Sequence, residues 1–275
     1  MSILQTPGGK RLRALREYHR TTQLEVELEA SLGIGYLQRL ELGKVQQPER
    51  DTLERILLAL DAQYTERREI LELFGYIVDA PIPDKAEIEW AISVCRTELD
   101  HAVFPTYLLD CAHRLLYWNR LVPQLFDTGY AVSMLHMVFD PRYGMTPRIK
   151  NADIFFPAQI RALRYEMQRF HDEAWYGALL DDMLACAEFD RHWHQEQQET
   201  VHIPARPLTP LELEADGTIL RFRLISEPFV QDHRFRVLFY LPADTNTITQ
   251  CMIWCGVSAE DHPTTAPPRG DGITV

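Results

Sequence analysis

The sequence predicts an all-α domain in the first third of the chain, followed by an α+β domain with an antiparallel sheet. In the first third, apolar residues recur three or four positions apart, which is the spacing of one face of a helix. Toward the C-terminal end the period changes to two, since Leu220, Phe222 and Leu224 alternate with arginines. Two closely spaced prolines, Pro81 and Pro83, break helical hydrogen bonding between these regions. With 275 residues, the chain is long enough for two cores.

Several short helices follow one another in the N-terminal third. The first is basic and spans residues 10–17, with its apolar positions on one face. Thr22 is expected to cap the second helix, and Glu25, three residues later, completes a capping box. The third helix is expected to end at Gly43, because glycine readily adopts the left-handed conformation found after helix ends. This spacing is typical of a DNA-binding helix-turn-helix motif, whose second helix enters the major groove.

Charge is distributed unevenly along the chain. The net charge is −12, yet residues 1–47 carry seven Lys or Arg residues against five Glu residues. This local excess of positive charge is a weak signature of nucleic-acid binding and falls short of a basic stripe. Acidic surface elsewhere repels phosphates, so we expect one face of the N-terminal domain to approach DNA.

The pattern of the first domain is matched by Arg11-Leu12-Arg13-Ala14-Leu15-Arg16-Glu17, Gln23, Tyr36-Leu37, Arg39-Leu40-Glu41, Gly43 and Pro48. Through these positions, residues 9–62 resemble the Xre/Cro-type helix-turn-helix family. In that family the Gln that opens the second helix touches DNA, and the start of the third helix reads base edges. The resemblance, with the loop that follows, implies these DNA-binding residues: Gln23, Gly33, Ile34, Gly35, Tyr36, Gln38, Arg39 and Lys44.

Two departures from the family pattern bear on base reading. Glu27 stands where the family usually has Ala, and it interrupts the apolar stripe of the second helix. Gly33, Ile34 and Gly35 stand where polar residues open the recognition helix. Glycine has no side chain for base readout and costs about 1 kcal/mol inside a helix. We therefore expect base reading to rest on Gln23, Tyr36, Gln38 and Arg39.

The second region begins with two short strands within residues 105–119, joined by a tight turn at Cys111-Ala112. Helices are expected around residues 131–139 and 157–187. Alternating patterns then predict strands at residues 211–214, 220–224, 235–239 and 248–254. In the strand at 235–239, Phe235, Val237 and Phe239 alternate with Arg234, Arg236 and Leu238. This order of elements is typical of a PAS-like fold, in which a sheet packs against helices and leaves an apolar pocket between them.

A second set of matching positions consists of Pro105, Leu109-Asp110, Leu116-Tyr117-Trp118-Asn119, Phe139-Asp140-Pro141, Leu163-Arg164 and Phe189-Asp190-Arg191-His192-Trp193. Through them, residues 105–245 resemble the ligand-binding domain of MmyB-like transcription regulators. That family combines this domain with an N-terminal Xre-type helix-turn-helix, the order predicted for this chain. The resemblance implies a PAS-like sensor of a small apolar ligand such as a fatty acid, with no resident cofactor.

The residues predicted to line the ligand pocket are mostly apolar and aromatic. Each has a structural alternative: Trp118 suits a core position, Asn119 suits a helix cap, and a Met and aromatic set at helical spacing suits plain core. Arg164 needs a partner, which is either a structural carboxylate such as Asp110 or Asp140 or the acidic head of a ligand. The predicted ligand-binding residues are Trp118, Asn119, Met134, Met137, Phe139, Arg164, Met167, Phe170 and Phe222.

The predicted organisation is a helix-turn-helix domain at residues 1–78, a linker at 79–87, a PAS-like domain at 88–258 and a flexible tail at 259–275. The five cysteines are odd in number and lack metal-finger spacing, and Cys251 and Cys255 are expected to be buried in a strand. No leader or membrane-length apolar run is evident, which favours a reduced, cytoplasmic protein without a membrane span.

The function that the sequence favours is a DNA-binding transcriptional regulator that works as a homodimer on double-stranded DNA and senses a small apolar ligand. The first alternative is a protein–protein interaction module that uses the helical domain without sequence-specific DNA binding. The second is a metal-dependent enzyme built on the histidines 113, 136, 171, 192 and 194. Neither a metal site nor an enzyme is expected, because the sequence lacks H-E-x-x-H, P-loop, GxSxG and GxGxxG motifs.

Overall fold

The structure is a computed structural model that describes residues 6–129, 133–167, 170–195 and 209–256, with only the backbone of Glu166. The chain divides into two compact units, Met1–Ala80 and Pro81–Val275. The tail predicted at residues 259–275 lies outside the described residues. A helical first unit followed by an α+β unit with one antiparallel sheet confirms the predicted fold class.

The first unit is formed by short helices around one apolar core. Thr22 and Glu25 form the predicted capping box, and Gly43 adopts a positive φ of 73° after the third helix. The core contains Leu12, Val26, Leu37, Leu40, Leu53, Ile56 and Leu57, each with 0% exposure. The helices are α1 Pro7–Tyr18, α2 Gln23–Glu29, α3 Tyr36–Glu41, α4 Arg50–Ala59 and α5 Tyr64–Leu73.

The second unit begins with a long helix and continues with a five-stranded antiparallel sheet in the order β2-β1-β5-β4-β3. Its strands are β1 Thr106–Asp110, β2 Leu115–Trp118, β3 Thr209–Ala215, β4 Thr218–Pro228 and β5 Phe235–Pro242. Its helices are α6 Lys85–His101, α7 Val122–Leu125, α8 Met134–Phe139, α9 Ala152–Met167, α10 Ala174–Leu184, α11 Ala187–Gln195 and α12 Thr245–Trp254.

Each face of the sheet carries an apolar cluster, and on the face with the smaller one Arg221 and Arg223 of β4 are exposed. On one face, Leu108, Phe235 and Val237 pack in a cluster with α6 residues such as Ala91 and Leu99. The opposite face carries the larger core, in which strand residues pack with residues of α7 to α11. The strand residues in that core are Tyr107, Leu109, Leu211, Leu213, Ala215, Leu220, Phe222, Leu224 and Tyr240.

Two expectations for the C-terminal region were wrong. Residues 248–254 belong to helix α12, because Asp244 caps the helix by accepting a hydrogen bond from the Thr247 amide. Cys251 and Cys255 are buried as expected, but their spacing of four residues places them on one helical face. The helix expected at 157–187 is interrupted instead, since α9 ends at Met167 and α10 begins at Ala174.

The structure buries two arginines around the start of β5, Arg234 just before the strand and Arg236 within it. Arg234 is 2% exposed because its guanidinium donates hydrogen bonds to the carboxylates of Asp232 and Glu87 and to the Pro81 carbonyl. Arg236 is 7% exposed. Helices pack on both sides of the sheet at β5, so the polar positions of its two-residue pattern do not face solvent. The alternation of apolar and polar residues along one strand does not show which helices pack on the two faces of the sheet.

We predict that Arg234→Met destabilises the second unit by about 3–5 kcal/mol, because it leaves the Asp232 carboxylate, 1% exposed, without its cation. Urea unfolding followed by the fluorescence of the second unit measures this change. Arg223→Met is the matched control, since Arg223 is an exposed residue of the neighbouring strand β4. Equal stabilities for the two variants would contradict the structural role of Arg234.

Candidate functional site

A cavity of about 360 Å³ lies in the second unit between the sheet and helices α8 and α9. This volume falls within the range of small-molecule sites. The sheet contributes Tyr107, Leu109, Thr209, Leu224, Ile225, Ser226, Glu227, Arg236, Leu238 and Tyr240. The helices and the β1–β2 turn contribute His113, Met134, Leu135, Val138, Phe139, Phe155, Gln159, Ala162 and Leu163.

Two charged side chains, Arg236 and the exposed Glu227, lie in this mostly apolar lining. The Arg236 guanidinium donates a hydrogen bond of 2.9 Å from Nη2 to Nε2 of His113. His113 lies in the turn between β1 and β2 with a φ of 59°, and it is 7% exposed. Burial, and then the neighbouring Arg236 charge, hold the pKa of the His113 imidazole well below its ordinary value. The ring is therefore neutral near pH 7 and accepts at Nε2, so this hydrogen bond does not cancel the charge of Arg236.

Two tyrosines supply further polar atoms to the lining. The hydroxyl oxygens of Tyr107 and Tyr240 lie 3.3 Å apart, and both side chains are buried. Burial raises the pKa of Tyr240 to about 12 and that of Tyr107 well above its ordinary value. Both phenols are therefore protonated and can donate or accept a hydrogen bond.

The spacing of the lining residues along β5 gives the length of the cavity. Arg236, Leu238 and Tyr240 lie on one face of β5, and four residues of strand span about 13 Å. Leu109 pairs with Arg236 and Tyr107 with Leu238 across the β1–β5 ladder. The arrangement suits an elongated, largely apolar molecule that carries an anionic group at the Arg236 end.

Two of the predicted ligand-binding residues, Met134 and Phe139, are in the cavity lining. Met137, Met167 and Phe222 belong to the surrounding apolar core, Trp118 packs against that core, and Phe170 is buried. The Asn119 side chain accepts from the amides of Thr106 and Leu121 and donates to the Phe104 carbonyl. Its contacts fit the structural alternative, and ligand contact by these other residues stays a prediction.

The expected carboxylate partners of Arg164 bind other arginines. Asp110 pairs with Arg114 and Asp140 pairs with Arg142. Arg164 instead donates to the Trp193 carbonyl and stacks over the Trp193 ring, with its guanidinium carbon 3.8 Å from the ring centroid. The guanidinium in the cavity lining is that of Arg236, a residue that was not among the predicted ligand-binding residues. The sequence contained an indication of its burial. Leu238 and Tyr240 follow Arg236 at two-residue spacing, so they lie on the same face of the strand, and both are residue types typical of a buried face.

The helical unit presents the turn between α2 and α3 at its surface. Gly33, Ile34 and Gly35 precede α3, which begins at Tyr36, so they lie outside the helix that they were expected to open. Gly35 has a positive φ of 81°, a conformation that favours glycine. The helix penalty expected for these glycines therefore does not apply.

Glu27 explains the first departure from the helix-turn-helix pattern. Its side chain is 3% exposed and accepts hydrogen bonds from the amides of Gly35, at 2.9 Å, and Leu37, at 2.8 Å. These amides belong to the first turn of α3, where backbone donors lack partners within the helix. Glu27 thus caps α3 and fixes the turn, rather than merely interrupting an apolar stripe.

The other predicted DNA-binding residues are partly engaged within the unit. The Gln23 amide donates to Glu41 at 2.7 Å, and Arg16 holds the same carboxylate at 2.6 Å. Arg39 lies over the Tyr36 ring at 5.7 Å. Gln38, Arg39 and Lys44 are exposed.

The histidines predicted for the metal alternative do not converge. His192 is buried whereas His194, two residues later on α11, is 60% exposed, as a helix requires. His136 binds the Asp182 carboxylate at 2.9 Å. In the described part of the chain, no three His, Cys, Asp or Glu side chains are grouped to hold a metal ion. Across those same residues, no helix combines the length and apolarity needed to cross a bilayer.

The sheet order and the cavity between the sheet and its helices define the second unit as a PAS-like ligand-binding domain. The family model of the MmyB-like transcription regulator ligand binding domain matches residues 96–249, more than half of the chain. The chain therefore belongs to the MmyB-like family. A comparison with curated proteins finds none that matches.

We predict that Glu27→Gln speeds hydrogen exchange at the Gly35 and Leu37 amides by at least about tenfold. Hydrogen bonds to a carboxylate are strong, and in glutamine the NH₂ group replaces one of the two accepting oxygens, so that it would face a backbone N–H that is itself a donor. Exchange followed by NMR measures the effect. Glu29→Gln, an exposed change on the same helix, should leave both rates unchanged. Unchanged rates in Glu27→Gln would show that the carboxylate does not fix this turn.

We predict that His113 makes the second unit less stable as the pH falls from 7 to 5. The unfolded chain takes up a proton at His113 near its ordinary pKa, whereas the folded chain resists protonation, so acid favours unfolding. The free energy of unfolding falls by at most about 1.4 kcal/mol per pH unit from this group. Urea titrations across this pH range should show a shallower slope for His113→Asn, since asparagine tolerates a positive φ.

The matched control for the pH titration is His101→Asn, an exposed position at the end of α6. It should retain the wild-type slope. A His113→Asn slope identical to the wild type would mean that His113 protonates equally in the folded and unfolded chains.

Proposed function

We propose that this protein is a cytoplasmic, homodimeric transcriptional regulator that binds double-stranded DNA through its helical unit and a fatty-acid-like ligand through its PAS-like domain. The observation that carries the proposal is the buried Arg236 guanidinium in an apolar cavity of a domain from a regulator family. A ligand acts by having different affinities for the DNA-competent and DNA-incompetent forms of the protein.

The chemistry of the lining supports an anionic, elongated ligand. A carboxylate at Arg236 gains charge-assisted hydrogen bonds in a site with little water, where such bonds are strong. The hydrogen bond to neutral His113 orients the guanidinium. Leu109, Leu238 and Phe155 then offer apolar surface to a hydrocarbon chain. The role of holding the acidic head moves in this proposal from Arg164 to Arg236.

The helical unit supports DNA binding by its spacing and its exposed groups. Gln38, Arg39 and Lys44 are exposed at and after α3, and Arg39 is cationic. Glu41, the acid nearest to them in α3, is 2% exposed and is held by Arg16 and Gln23. Internal pairing of this carboxylate reduces the repulsion that a phosphate would meet. A two-fold homodimer would present two such units to a pseudo-palindromic site.

The alternative of a protein-interaction module has an observation in its favour. Leu24 is 51% exposed and Leu28 is 68% exposed, and they lie four residues apart on one face of α2. Such a pair offers an apolar contact to a partner protein. Duplex DNA separates the two functions, because phosphate contacts make DNA affinity fall steeply with salt.

A pair of probes that differ in one group tests the ligand site. We predict that lipid-free protein binds lauric acid at least about tenfold more tightly than 1-dodecanol, because only the acid forms a charge-assisted contact with Arg236. Isothermal titration calorimetry at pH 8 measures both affinities. Arg236→Gln should reduce the preference for the acid to near equality.

Arg223→Gln, on the exposed side of β4, is the control and should keep the wild-type preference. Equal wild-type affinities for acid and alcohol would contradict recognition of a charged head by Arg236. Failure of lauric acid to bind would remove the fatty-acid-like ligand from the proposal.

A further inference from the structure

Ile34 is displayed at the tip of the turn before α3. Its side chain is 85% exposed, among the highest values for a large apolar residue in the described part of the chain. The glycines on both sides leave open space around it, since a Cβ atom added at Gly33 or Gly35 would meet nothing within 4 Å. The backbone at this point can therefore approach another surface closely, and the Ile34 side chain makes the first contact with that surface.

The turn that carries Ile34 is fixed by a buried charge. The Glu27 carboxylate accepts from the amides of Gly35 and Leu37 after Ile34, and the Glu27 carbonyl accepts from the Leu32 amide before it, so both sides of the turn are tied to α2. Burying a carboxylate is costly unless it is well hydrogen-bonded, and these two bonds hold one geometry. Ile34 is thus presented in a defined position just before α3, the helix that carries the exposed Gln38 and Arg39.

We propose that Ile34 is a specificity-determining residue that reads thymine through its C5 methyl group in the major groove. Thymine alone among the bases presents a methyl group there, and apolar side chains contact it. Gln38 and Arg39, about one helical turn further along the chain, then form the hydrogen bonds to base edges. This inference rests on the proposed DNA-binding function, and it gives the turn a role despite its lack of polar side chains.

A protein-docking surface is the competing use of Ile34, because Leu24 and Leu28 are also exposed on the preceding helix. An exposed apolar residue alone does not distinguish the two uses. The fixed turn and the flanking glycines favour a narrow, close contact over a broad apolar one. Removal of single methyl groups from DNA decides between them.

The experiment begins with selection of duplexes from a random pool by the full-length protein at low salt. Each thymine of the selected site is then replaced singly by uracil, which removes only the methyl group. We expect at least one position at which uracil weakens wild-type binding by about fourfold, the effect of one methyl group removed from contact. Ile34→Ala should bind thymine and uracil equally at that position.

The control variant is Leu58→Ala, because Leu58 is 76% exposed on α4, outside the α2–turn–α3 segment, and its removal should leave the uracil effect intact. Selected sites without thymine, or sites at which no uracil substitution weakens binding, would overturn the role of Ile34. The same holds if Ile34→Ala keeps the full preference for thymine. Absence of salt-dependent wild-type binding to any duplex would instead refute the proposed DNA-binding function itself.

Discussion

The hydrogen bond from Arg236 to His113 is the interaction on which the functional account depends. Strand β5 lies in a sheet with helices on both faces, so its arginines find partners inside the protein. Arg234 meets two carboxylates, Asp232 and Glu87, which neutralise it and make it structural. Arg236 meets a neutral imidazole within a cavity lining. Arg234, just before β5, is thereby held by carboxylates, whereas Arg236, within β5, donates to an imidazole in the cavity lining.

The turn that carries His113 also holds the beginning of the second unit. Arg114, the next residue, pairs with Asp110 and donates to the Pro83 carbonyl at 3.4 Å. Arg234 in turn donates to the Pro81 carbonyl. The polar end of the cavity and the segment that leads into α6 are therefore fixed by neighbouring residues of the same turn and strand. A sensor requires such proximity, since a ligand acts through groups whose positions differ between two states.

Local interactions were predictable from the sequence, and long-range ones were not. The capping box of Thr22 and Glu25 and the alternation of Leu220, Phe222 and Leu224 arise from near neighbours, and the structure confirms them. The burial of Arg236 depends on helices distant in the chain, and the capping role of Glu27 depends on a turn eight residues away. Of the candidate site, the sequence therefore indicated apolar lining such as Met134 and Phe139, but missed the hydrogen-bonded pair of Arg236 and His113.

DNA binding by the full-length chain with and without lauric acid measures whether occupancy of the cavity changes DNA affinity. Fluorescence anisotropy on a duplex selected by the protein, at one fixed salt concentration, gives both affinities. The account predicts a change of at least about fivefold in the wild type, a common size for such coupling, and no change in Arg236→Gln. Identical DNA affinities for the wild type with and without a saturating ligand would contradict it.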